Sequence, residues 1–160
     1  MKVYIKNKIF SLKGSSTVKN ENGEDVFIVK GKFFSITRKK FICDLDGKVL
    51  YKVRNRWFNW IAHCAYIYDE NNTKIARVKK PLFSIKKHIV QGYKDEITLE
   101  GNLFSLKSTI IRNGNPIGAI TREVNIMTDA FCLEASPEDM PFMIALVICK
   151  DNISDDKAND

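Results

Sequence analysis

Lysine and arginine recur at every second position in three apolar runs of this chain. Ile5-Lys6-Asn7-Lys8-Ile9, Val29-Lys30-Gly31-Lys32-Phe33 and Val53-Arg54-Asn55-Arg56-Trp57 each set two cations on one face of an extended strand and apolar or small residues on the other. Lys52, Arg77 and Lys79 extend the pattern, and Arg38, Lys39, Lys40, Lys86 and Lys87 fall in short segments between the runs. Fixed positive charges so spaced can hold anions: lipid headgroups, nucleic acid or acidic protein surfaces. The candidates for headgroup contact are Lys30, Lys32, Arg38, Lys39, Lys40, Arg54, Arg56 and Lys79. The formal net charge is +7, and it rises to +9 when the last eleven residues, with four Asp and two Lys, are set aside.

Bond-making chemistry finds little footing in the sequence. Cys43, Cys64, Cys132 and Cys149 stand far apart among apolar neighbours, which suits buried thiols in a reducing cytoplasm. Zinc sites use paired spacings such as Cys-x-x-Cys, and His63 and His88 do not complete one. His63 and Cys64 are adjacent, so on a strand they point to opposite faces and cannot form a dyad. The nucleophile-elbow and phosphate-loop motifs are missing, and Asp95-Glu96 and Asp155-Asp156 read as turn and tail charges. The sequence therefore implies no enzyme, no metal and no cofactor.

The elements that must carry the cations come from an internal repeat. An apolar residue, Phe, Ser, Ile or Leu and a polar residue recur at Ile9–Lys13, Phe33–Thr37, Leu82–Lys86 and Leu103–Lys107, with worn copies at Trp57–Ile61 and Glu123–Met127. The copies are 20 to 25 residues apart, a period typical of repeat architectures. Each copy holds two strand-like runs. One kind of turn is rich in Asp, Asn and Gly: Glu21–Glu24, Asp44–Gly47, Asp69–Asn72 and Arg112–Asn115. The other follows the Ser-Ile or Ser-Leu pair, as at Ile36–Lys39. Two strands in each of six copies give about twelve antiparallel strands joined as successive hairpins.

The C-terminal segment breaks the pattern. Ser136-Pro137-Glu138-Asp139 combines a capping residue, a proline suited to a first turn and two acids at the positive end of a helix dipole. From Phe142 to Cys149 every residue is apolar. Such a run also suits a buried strand, but the capping signals favour a helix buried on all sides. Twelve strands enclose a bore too wide for side chains alone. The expected fold is thus mainly β, an about twelve-stranded closed antiparallel barrel around a hydrophobic C-terminal helix. Gly31, Gly101, Asn7 and Asn55 would be the small inward residues that make room for it. The expected domain spans 1–151, with a polar tail at 152–160. Lys6 and Lys8 interrupt the apolar stretch that an export signal needs, and eight apolar residues cannot span a bilayer.

The order and spacing of these motifs resemble the LURP-one-related family, part of the tubby C-terminal-like superfamily that includes the phospholipid scramblases. The resemblance is carried by Val29–Ile36, the Asp44–Gly47 turn, Val78–Ile85, Gly101–Ser105 and the apolar C-terminal helix, and covers nearly the whole chain. It implies the same twelve-stranded barrel around a helix. Tubby domains bind phosphoinositides and scramblases act at membranes, so the resemblance also implies a scramblase-like protein that binds phospholipid or phosphoinositide headgroups. With the thiols and the missing catalytic motifs, the expectation is a non-enzymatic, cytoplasmic, peripheral membrane protein. The proline-rich leader, cysteine cluster and calcium site of scramblases have no match here, which argues against lipid translocation.

Three functions follow from the cations. The first is binding of anionic lipid headgroups by an outward basic girdle, although alternation on any solvated barrel would produce the same rows. The second is a regulatory or protein-interaction scaffold. The third, nucleic-acid binding, is weakest, because it calls for exposed aromatics among the cations. Trp57 falls on the inward face, and Trp60 sits at a turn.

Overall fold

A computed structural model describes residues 1–6, 15–31, 35–56, 64–79, 89–101, 107–125 and 128–155. Most copies of the Phe-Ser core, with Lys8, Lys32, Trp57, Trp60, His63, Lys86, His88 and Asn7, lie outside these residues. The described chain forms twelve strands. They are β1 (Lys2–Lys6), β2 (Ser15–Asn20), β3 (Asp25–Gly31), β4 (Lys40–Cys43), β5 (Val49–Asn55), β6 (Cys64–Tyr68), β7 (Lys74–Lys79), β8 (Ile89–Gly92), β9 (Ile97–Glu100), β10 (Lys107–Arg112), β11 (Asn115–Asn125) and β12 (Thr128–Ala135). Every pairing is antiparallel, and the sheet order is β8-β7-β6-β5-β4-β3-β2-β1-β12-β11-β10-β9. Chain-adjacent strands therefore pair from β1 to β8 and from β9 to β12, and β1 meets β12 to join the two ends of the chain. The barrel is nearly closed: no ladder joins β8 to β9 among the described residues.

The turns at one end share one chemistry. In Asn20–Glu24, Asp44–Lys48 and Asp69–Thr73 the first residue's side-chain oxygen accepts the backbone N–H of the fifth, at 3.0, 2.8 and 2.8 Å. The fourth residue has positive φ: Gly23 at 80°, Gly47 at 87° and Asn72 at 64°. Its N–H donates to the first residue's carbonyl. A bulge follows in each hairpin, as expected where a tight turn ends in a left-handed residue. The three turns start 24 and 25 residues apart, so the sequence period is a period of hairpins. Asn113 and Gly114, both with positive φ, make the tighter turn between β10 and β11.

Alternation sets the wall. Val3, Ile5, Val29, Ile42, Val53, Ile67, Ala76 and Val78 are buried inward, while Lys6 and Lys30 are exposed. Asn55 is inward as expected, but Gly101 is not. It sits exposed just past β9 with φ at 89°, where left-handed backbone, rather than room for the helix, calls for glycine.

The C-terminal helix (Met140–Asp155) is the plug. Residues 140 to 150 are all buried, on every face of the helix. Only a helix enclosed by the wall loses both faces to packing. Ser136 caps it: the Asp139 N–H donates to Ser136 Oγ at 3.2 Å, and Met140 N–H to the Ser136 carbonyl. Arg112, at the end of β10, clamps the entry. Its Nη1 meets Asp139 Oδ1 at 2.5 Å, and its guanidinium lies 4.9 Å from the Phe142 ring, which Tyr51 meets edge-on. The helix runs past the tail boundary expected at residue 152, since Asn152 and Ile153 are buried. Asn152 Nδ2 donates to the Arg38 carbonyl at 3.2 Å, and Asn55 Nδ2 donates to the Asn152 carbonyl at 3.3 Å. The helix end is thereby tied to the rim.

Candidate functional site

The outer face of β3 to β8 carries cations and aromatics in cross-strand rows. Antiparallel register sets Lys30 beside Phe41, Phe41 beside Lys52, Lys52 beside Tyr68 and Tyr68 beside Lys74. A second row runs Arg54, Tyr66, Arg77, Gln91. Residues directly opposite on one face lie within side-chain reach. Lys52 Nζ stands 4.3 Å from the Tyr68 ring centre and Arg54 Cζ 5.1 Å from it, and Arg54 Nε donates to the Tyr68 hydroxyl at 2.8 Å. These two cations roof Tyr68, which is why an outward ring is buried. Lys74 lies over Tyr66 at 4.6 Å, and Arg77 donates twice to Gln91 Oε1, at 2.8 and 3.2 Å.

The electrostatics of this wall are one-signed. Partial burial, together with nearby Arg54 and Lys39, holds the Lys52 ammonium below its usual range. Burial first, then the Cys64 thiol, pushes the Tyr66 phenol up. Among the described residues, the ion pairs Lys19–Asp25, Lys48–Glu70 and Arg112–Asp139 lie at the Asp- and Asn-rich turn end, which the first row reaches at Tyr68 and Lys74; no row residue takes part in them. A ring face offsets part of a cation's desolvation but leaves its charge intact. The wall can therefore hold anions by field and hydrogen bonds.

The expected headgroup residues divide by position. Lys30 is exposed on β3, and Arg56 is exposed just past β5, its N–H on the Cys64 carbonyl. Arg54 and Lys79 are half-buried on the outer face. Arg38 and Lys39 belong to the turn after Ser35, whose Oγ accepts the Lys39 N–H at 3.0 Å; Arg38 has φ at 45°. That turn is the described form of the repeated Ser-Ile pair. Lys40 is the correction: it is 6% exposed and shares the inward face with Ile42 and Val53, so it cannot meet a surface ligand. Lys32 lies outside the described residues. Tyr66, Tyr68 and Lys74 were not among the expected residues. The alternation in Ala65-Tyr66-Ile67-Tyr68 sets both rings outward, but only register pairs them with cations.

Groups that could do covalent work are sequestered. Cys43, Cys64, Cys132 and Cys149 are free and buried, and burial pushes each thiol above its ordinary range, Cys149 furthest. Among the described residues, no group of three or more His, Cys, Asp or Glu could hold a metal ion. No helix among them is long and apolar enough to cross a membrane.

Comparison with known proteins agrees with the fold. A family model described as LURP-one-related matches residues 1–151. The uncharacterized protein YxjI of Bacillus subtilis is 23% identical over 155 residues, covering 96% of this chain and 93% of its own. The X-ray structure of the Arabidopsis thaliana protein AT5G01750 superposes with a TM-score of 0.66 at 17% identity, covering 96% of this chain and 90% of that one. At that identity the likeness concerns the fold alone.

Proposed function

Because the chain belongs to the LURP-one-related family, we propose that it is a non-enzymatic binding module for anionic phospholipid headgroups, acting as a peripheral protein on the cytoplasmic side of a membrane. One observation carries the reading. The outer wall from β3 to β8 arrays Lys30, Lys52, Lys74, Arg54 and Arg77 without a carboxylate in either row. Such an array attracts a surface of many spaced phosphates better than a single small anion, because each cation near an anionic bilayer adds ~1 kcal/mol. The four free thiols fit the reducing side of that membrane.

The test is co-sedimentation with vesicles of phosphatidylcholine alone or with phosphatidylserine or a phosphoinositide. Wild type should bind only the anionic vesicles, more weakly as salt rises. Changing the exposed Lys30, Arg56 and Lys74 together to Glu should remove binding and leave a cooperative unfolding transition, since exposed charges contribute little to stability. Wild type that ignores anionic vesicles at moderate salt refutes the reading, and a regulatory protein scaffold then stands in its place.

A further inference from the structure

We infer that the barrel docks end-on to an anionic bilayer, through the rim where the helix finishes, with Ile36 entering the lipid. The inference rests on the lipid reading above and moves the contact from the side wall to the rim: Lys30 and Arg54, next to last in β3 and β5, flank that rim, while Lys52 and Lys74 lie further from the bilayer and act only through the field.

The two ends of the barrel differ in charge. The Asp- and Asn-rich turns gather Glu21, Glu24, Asp46, Asp69 and Glu70 at one end, joined there by Glu138 before the helix, and carboxylates outnumber the cations of that end, among them Lys19, Lys48, Lys74 and Arg112. The opposite end carries Lys6, Arg38, Lys39, Arg56, Lys79 and Lys107. Among the side chains described there, the carboxylates are Glu100 and Glu123. Antiparallel hairpins separate the two turn classes by a full strand length, so charges interleaved in sequence are sorted in space. A body with one basic and one acidic end is steered toward an anionic plane basic end first.

That same basic end exposes apolar side chains. Ile36, between Ser35 and Thr37 in the turn before β4, is 83% exposed, and Ile89 at the start of β8 is 42% exposed. The turn is built rather than slack: Ser35 receives the N–H groups of Arg38 and Lys39, and the Thr37 carbonyl accepts the Asn55 N–H at 2.7 Å. Ile36 is thus held outward with two cations behind it. A nucleic-acid backbone would meet the cations but give the isoleucine nothing apolar to enter, and an acidic protein would need an apolar pocket placed to match. A bilayer supplies phosphates at the level of Arg38 and Lys39 and hydrocarbon beyond them.

The experiment pairs Ile36→Ser with Leu45→Ser. Leu45 is 55% exposed in the Asp44–Lys48 turn at the acidic end, so the two changes match in chemistry and differ in location. Both are read as affinity for phosphatidylserine vesicles. Ile36→Ser should weaken binding about tenfold, the loss expected from withdrawing most of one aliphatic side chain from hydrocarbon. Leu45→Ser should leave it unchanged. As a second readout, Ile36→Trp should add quenching by brominated lipid tails over the wild-type signal. Wild type that binds while Ile36→Ser binds equally well, or while both serine variants weaken alike, overturns the end-on orientation and leaves the lipid reading standing. Wild type that binds no vesicle, or binds only an oligonucleotide, overturns both.

Discussion

Replacing Leu146 by Asp should unfold or nearly unfold this protein at neutral pH. Leu146 is 2% exposed, in a stretch of helix with no solvent-facing side. Two effects add. Removing the isobutyl group leaves a cavity inside a wall that is hydrogen-bonded round most of its circumference and cannot collapse freely. The matched Leu146→Ala change isolates this part at ~2–5 kcal/mol. The carboxylate then adds the cost of a buried charge without a partner, several kcal/mol more. Against a total stability of ~5–15 kcal/mol, the sum takes most of the fold. The assay is urea denaturation. With a slope of ~2 kcal/mol/M, Leu146→Ala should lower the midpoint by about 1–2.5 M without changing the slope. The Asp variant should also depend on pH in a set direction. Burial raises the folded-state pKa of the new carboxyl above its unfolded value of ~3.9. The penalty is therefore full above the folded pKa and fades as pH falls toward the unfolded value. Leu146→Asn should show no such dependence. If Leu146→Asp unfolds cooperatively within about 1 kcal/mol of wild type at neutral pH, the helix is not enclosed and the plug argument fails.

Two further outcomes are expected. Asp44→Ala and Asp69→Ala should each cost ~1 kcal/mol by removing the side-chain acceptor of Lys48 and Thr73 N–H. The double variant, read by thermal unfolding, should show nearly the sum, because the hairpins are separate. The Asp25 carboxyl should titrate by NMR below the usual carboxylate range, because Lys19 and then Thr17 hydrogen-bond its charged form. Its small contribution to stability is present above the unfolded pKa and lost as pH falls through the folded one. Lys19→Met should bring the titration back up, and an unchanged titration would deny the Lys19–Asp25 pair.

Much of the fold is local and therefore legible in the chain. A turn needs an Asx acceptor and a residue that tolerates positive φ, and Asn20–Gly23, Asp44–Gly47 and Asp69–Asn72 supply both within a few residues. Strand phase follows from alternation, so Val29 and Val53 face in while Lys30 faces out. Twelve strands follow from the repeat, and the plug from an apolar run behind a Ser136 cap. What the sequence could not decide depends on partners distant in the chain. Lys40 lies in a basic run, yet its register against Val53 turns it inward. Tyr68 is buried only because Lys52 and Arg54 come from the neighbouring strand to cover it. The polar residue Asn152 continues the helix because the Asn55 side chain and the Arg38 carbonyl, about a hundred residues away in sequence, satisfy its polar groups. The sorting of charge to two ends also exists only in three dimensions, since strands of alternating direction carry every second turn to the same rim. Propensity and alternation act between near neighbours in sequence, whereas burial and field are sums over neighbours in space, and only the nearly closed circuit of hairpins fixes which residues those are.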